Sequence, residues 1–125
     1  MADDYTIQVY HTEWADCINI VILMFDIKHS EHVGIIEVRA FRGESKHAGE
    51  GYIWNLQVKR EHRGKGLAKR LLQNAEYAAH RNGSTTAVLE WDKRDSHQWV
   101  FDWYARQGYD EKEFGNGYAL MKKEL

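Results

Sequence analysis

Leu67, Leu71, Leu72, Ala75, Ala78 and Ala79 recur at the spacing of one helix face, and the chain enters that helix directly from a glycine-bearing loop. Asn82-Gly83 supplies the stop at its far end. An amphipathic helix needs an apolar surface to cover, and the flanking runs supply one. Residues 5–11, 33–42 and 52–59 carry the β-branched and aromatic residues of strands. Residues 17–28 also read as a strand, although Trp14, Ile18, Val21, Ile22 and Phe25 would equally line a helix capped by Thr12. Beyond the long helix, residues 85–91 form a strand. Asp95 or Ser96 can cap a short helix running to about Gln107, with Gly108 past its end. Residues 118–122 pair with 109–114 through the turn Gly115-Asn116-Gly117. The expected order is β-β-β-β-α-β-α-β-β. This is an α/β (α+β) arrangement, a mixed and mostly antiparallel sheet with helices packed on it.

At 125 residues the chain is expected to be a single domain, 1–125. A net charge of -2 argues against a dedicated nucleic-acid binder. A single cysteine, Cys17, excludes an internal disulfide, and its apolar surroundings read as packing, not nucleophilic chemistry. The acidic start Met1-Ala2-Asp3-Asp4 lacks the basic-then-apolar pattern of a signal peptide. The longest apolar run, 17–25, is too short to span a bilayer, so no membrane partner and a cytoplasmic location are expected.

The chemistry concentrates where strand 52–59 runs into the long helix through Arg60-Glu61-His62-Arg63-Gly64-Lys65-Gly66. The first turn of a helix exposes unpaired N–H groups and the positive end of the dipole. Gly64 and Gly66 let backbone approach a phosphate without an intervening Cβ. Six basic residues and one acid lie between Lys59 and Arg70, a local excess that points to a polyanionic ligand. A P-loop is excluded because no Ser or Thr follows Lys65, and a dinucleotide fingerprint because Lys69 holds the third glycine position.

Arg63-Gly64-Lys65-Gly66-Leu67-Ala68 resembles the acyl-CoA motif of the GNAT superfamily: Arg or Gln, two residues, Gly, one residue, then Gly or Ala. Trp103-Tyr104-Ala105-Arg106-Gln107-Gly108-Tyr109 is similar to that family's Leu-Tyr segment ending in Gly-Phe, and the resemblance spans about residues 50–125. It implies an N-acetyltransferase that moves an acetyl group from acetyl-CoA to a primary amine by direct attack, with no metal. It implies pyrophosphate binding by the amides of Gly64, Lys65, Gly66, Leu67, Ala68 and Lys69, with Arg63 beside them. It places the pantetheine arm along Leu56, Gln57 and Val58, and the general acid at Tyr104. His97 and Val100 stand where the family often has Asn and Ala, and His97 would donate to pantetheine. For the base, Glu50 is the expectation and Glu90 the runner-up. The family's two N-terminal helices have no counterpart in this reading, so the acceptor site is expected to be open or completed by a partner subunit, which leaves a homodimer open. A CoA-binding module without catalysis is the alternative, and a nucleic-acid domain using residues 59–70 is a third.

Three further features have plain readings. His29 and His32 read as a polar turn, not a metal pair, because no further ligands cluster in sequence. Trp99 and Trp103, one turn apart, read as core packing. No Ser/His/Asp arrangement can be argued from spacing. The acceptor itself is not legible.

Overall fold

A computed structural model describes residues 3–125, so Met1 and Ala2 of the acidic start lie outside the described residues. Seven strands form one sheet in the order β1-β2-β3-β4-β5-β7-β6. They are β1 (Tyr5–Glu13), β2 (Cys17–Asp26), β3 (Glu31–Phe41), β4 (Glu50–Val58), β5 (Thr86–Asp92), β6 (Asp110–Phe114) and β7 (Tyr118–Glu124). Two helices, α1 (Leu67–Arg81) and α2 (Gln98–Arg106), follow β4 and β5. Every strand pair is antiparallel except β4 with β5. The order read from sequence is therefore the observed one.

Residues 17–26 resolve as strand, not helix. The deciding signal is the strict alternation of burial: Ile18, Ile20, Ile22 and Met24 point into the core while Asn19, Val21, Leu23 and Phe25 point to the other face. Ile36, Val38 and Ala40 continue the buried face on β3, as do Ile53 on β4 and Ala87, Leu89 and Trp91 on β5. Leu67, Leu71, Leu72, Ala75 and Ala79 of α1 close over it. Gly51 allows that closure, since a Cβ there would stand 2.7 Å from the Ala79 Cβ. The α2 helix lies over the same face, with Phe101 edge-on to Trp91 at 5.3 Å. Its cap is His97, with no side-chain bond, so neither Asp95 nor Ser96 performs the capping expected of them. Instead the loop is held from the sheet, where Trp91 Nε1 donates to the His97 carbonyl at 3.2 Å. Among the described residues no helix is long and apolar enough to cross a membrane.

Candidate active site

Two irregularities in β4 create the site. First, β4 pairs with β5 only at Glu50, Gly51 and Tyr52, after which the two strands part. The β5-facing edge of β4 from Ile53 onward therefore has no strand partner, and its peptide groups stay available. Second, β4 carries a bulge against β3, where the register slips between Ile35 and Glu37. Asn55 takes the left-handed conformation there, with φ 59°, a geometry Asn tolerates better than most residues. Its amide donates to Glu37 Oε2 at 2.8 Å and its oxygen accepts from Gln57 Nε2. Leu56 and Val58 then face the helices, while Gln57 faces away.

At the end of β4 the chain makes a short 3-10 turn, Arg60–His62, and enters α1. Gly64 and Gly66 have φ of 80° and 76°, and a Cβ at either would meet nothing within 4 Å. The approach to the helix start is thus open. Gly66 is the cap, no side chain caps α1, and its first turn carries no acid. The first amide to bond back is Arg70, to the Gly66 carbonyl at 3.2 Å. The amides before it have no intrahelical acceptor. Of the local cations, Lys59 pairs with Glu31 and Arg70 with Asp3. Arg60, Arg63, Lys65 and Lys69 have no carboxylate partner among the described residues. Arg63 Nε donates to the Val58 carbonyl at 3.0 Å, which pins the loop to the strand end.

A cleft of about 860 Å³ joins these parts, a volume ordinary for a small-molecule site. Leu56, Gln57 and Val58 form one wall, Arg63, Gly64, Gly66, Leu67, Ala68 and Lys69 the floor, and Trp99, Val100, Trp103 and Tyr104 of α2 the opposite wall. Tyr104 is half-buried, packed edge-on against Trp103 at 5.1 Å and Tyr109 at 5.9 Å. Burial pushes its phenol above the ordinary 10.0, so it keeps its proton throughout the neutral range.

Several expectations are not met. Glu50 is not in the cleft. It starts β4, roughly 20 Å along the strand from Leu56 at the usual rise per residue, and is engaged by His47 at 3.1 Å and Lys122 at 3.4 Å. His97 is exposed and outside the lining. Lys65 also lies outside it, with its ammonium 3.3 Å from the Tyr5 hydroxyl. Trp99 is not core packing, because it is 66% exposed on the cleft rim. The sequence reading also missed a brace beneath the loop. His62 meets the Tyr5 hydroxyl at 3.0 Å through Nδ1, tying β1 to the motif across 57 residues. No local pattern announces such a contact. Asp26, Glu31 and His62 do converge there, with candidate ligand atoms within 4.8 Å of one another. Each already has a nearer partner in His29 at 2.7 Å, Lys59 at 3.1 Å and Tyr5.

Similar structures show the same frame. The PaiA N-acetyltransferase of Thermoplasma acidophilum, in complex with coenzyme A, superposes with a TM-score of 0.71 at 20% identity, covering 86% of this chain and 61% of that one. The GNAT domain of S. lividans PAT gives 0.71 at 18% identity, covering 86% and 61%. A GNAT-family acetyltransferase of Listeria monocytogenes 4b F2365 gives 0.67 at 21% identity, covering 84% and 64%. This chain thus spans less than two-thirds of the length of each of the three. No curated protein matches it in sequence. The family model for the acetyltransferase (GNAT) family matches residues 3–109, from β1 across the parted strands and the glycine loop to the end of α2. The chain that builds this cleft is therefore a member of the GNAT acetyltransferase family.

Proposed function

We propose that the protein transfers an acetyl group from acetyl-CoA to a primary amine within a ternary complex. The observation that carries this reading is the continuity of one cleft over three features: the uncapped start of α1, the unpaired edge of β4 and the Tyr104 side of α2. The residues present fit the co-substrate. Amides of residues 64 to 69 and the cations of Arg63 and Lys69 suit a diphosphate. The open edge at Leu56 and Val58 suits an amide-bearing arm laid down like an added strand. When bound, the thioester supplies an activated acetyl group.

This chain's own residues then do three things. The helix start fixes the donor, so that the reaction is positioned and not bimolecular. The apolar wall of Leu56, Val58, Val100 and Trp103 excludes water from the transfer path. Tyr104 holds a proton on its hydroxyl and donates it toward the departing sulfur. The amine must lose a proton before or during attack, because an ordinary ammonium has a pKa near 10.4. Glu50 is too far along β4 to serve as its base.

Turnover of acetyl-CoA, followed by thiol release over a panel of amines, tests this. Tyr104→Phe should lower kcat by roughly 10²-fold, with the affinity for acetyl-CoA changed less than about threefold. Equal turnover by the variant would remove Tyr104 from the mechanism. Acetyl-CoA binding without turnover of any amine would favour a CoA-binding module instead.

A further inference from the structure

Both helices cover one face of the sheet. On the other face, residues alternate with the buried ones, and near the parting of β4 and β5 they make a second site. The Tyr52 and Trp54 rings stack there at 5.6 Å and 26°. Across the register, Arg39 pairs with Tyr52 and Glu37 with Trp54. Arg39, Tyr52 and Trp54 line a hollow of about 260 Å³. The Arg39 guanidinium lies between two indoles, 5.2 Å from Trp14 and 5.4 Å from Trp54. Its Nε is buried without a hydrogen-bond partner. The arginine ion pairs among the described residues belong to Arg42, Arg70 and Arg94, so Arg39 carries an uncompensated charge. A guanidinium stacked on aromatic faces keeps its fork of N–H donors at the ring edges, which matches a planar carboxylate.

The same patch holds the opposite charge close by. Glu37 stands two residues from Arg39 on this face, roughly 7 Å along the strand, where its Oε2 accepts from the Asn55 amide at 2.8 Å. Glu90, exposed on β5, stands two residues beyond Val88, the register partner of Tyr52. The hollow thus offers a cation and a flat aromatic floor, and the Glu37 and Glu90 carboxylates stand on the same face outside its lining. Trp54 is also only two residues from Leu56, so hollow and cleft flank one gap from opposite faces.

We propose that this hollow is the acceptor subsite, and that the acceptor is an amine bearing a carboxylate, of the amino-acid class. Arg39 takes its carboxylate, the Tyr52–Trp54 stack its apolar side chain, and Glu37 with Glu90 attracts its ammonium toward the gap. The assignment rests on the transferase reading above. In the transfer, the amine nitrogen forms the amide bond, the thioester C–S bond breaks, one ammonium proton is lost to solvent and one reaches the sulfur.

The test compares L-phenylalanine, L-tyrosine and L-leucine with phenethylamine, tyramine and isoamylamine, which lack only the carboxylate. The expected result is a kcat/KM about 10- to 100-fold higher for the amino acids, the scale of a charged hydrogen-bonded pair. Arg39→Gln abolishes that preference, Arg39→Lys keeps part of it, and the KM for acetyl-CoA stays within about twofold in both variants. Equal use of both sets by the parent protein, or an equal loss for both sets in Arg39→Gln, would overturn the subsite. Calorimetric titration with acetyl-CoA separates the two possible failures. Normal binding without carboxylate preference overturns the subsite alone, whereas absent binding overturns the transferase reading and the subsite with it.

Discussion

Two tyrosines in contact have different work. Tyr104 faces the cleft, whereas Tyr109, beneath it, is 2% exposed and donates to Glu76 Oε2 at 2.8 Å, with Lys123 also on Glu76 at 3.1 Å. Burial first, then the Glu76 charge, drives the Tyr109 phenol far above its ordinary 10.0. The sign for stability follows from which state binds the proton more tightly. The folded state does, so the contribution is complete below pH 10 and is lost as pH rises beyond it. Denaturant-measured stability should fall above pH 10 by up to about 1.4 kcal/mol per pH unit for each such group. Tyr109→Phe should make that alkaline limb shallower, even though its stability at neutral pH is lower. At the loop, Gly66 has φ 76°. Gly66→Ala should cost about 1–2 kcal/mol in thermal or denaturant unfolding from the left-handed backbone. It should also weaken acetyl-CoA binding roughly tenfold, as a Cβ intrudes on charged hydrogen bonds. That Gly64, Gly66 and Tyr104 line one cleft is legible because their types and spacing carry a local reason. Glu50 was misread because period-two reasoning places a residue on a face but does not say how far along the strand a cleft opens.

At the scale of elements, the strand that parts and the helix that follows it decide the site. The α1 helix was legible to within a residue, since its apolar stripe, glycine entry and Asn82-Gly83 exit agree. The ambiguity over residues 17–28 arose because Ile and Val serve a buried strand as well as a buried helix. Long-range pairing with both β1 and β3 settled it. The α2 helix was found, but its rim was not. Trp99 and Trp103 sit one turn apart, yet Trp99 is exposed on the rim of the cleft that opens where β4 and β5 part. No one-dimensional pattern encodes that parting. The packing of α1 on β4 gives a clean control. Gly51→Ala forces a Cβ against Ala79 at 2.7 Å and Ser84 Oγ at 3.1 Å. It should cost about 1–3 kcal/mol in denaturant unfolding. Acetyl-CoA affinity of the folded fraction should be unchanged, because Gly51 lies at the paired end of β4.

For the whole molecule, a seven-stranded sheet carries both helices on one face and an aromatic, charged patch on the other. The gap where β4 and β5 part lies between the two. The sequence shows which residues alternate, but not that one face is left to Trp54, Arg39 and Glu37. Donor binding depends on the amides at the start of α1 meeting a diphosphate. Amide chemical-shift mapping on isotope-labelled protein titrated with acetyl-CoA measures this residue by residue. Saturable shifts centred on the amides of residues 64–69 are expected, with smaller ones at Leu56 and Val58. Saturable shifts centred elsewhere, or none at millimolar acetyl-CoA, would contradict it.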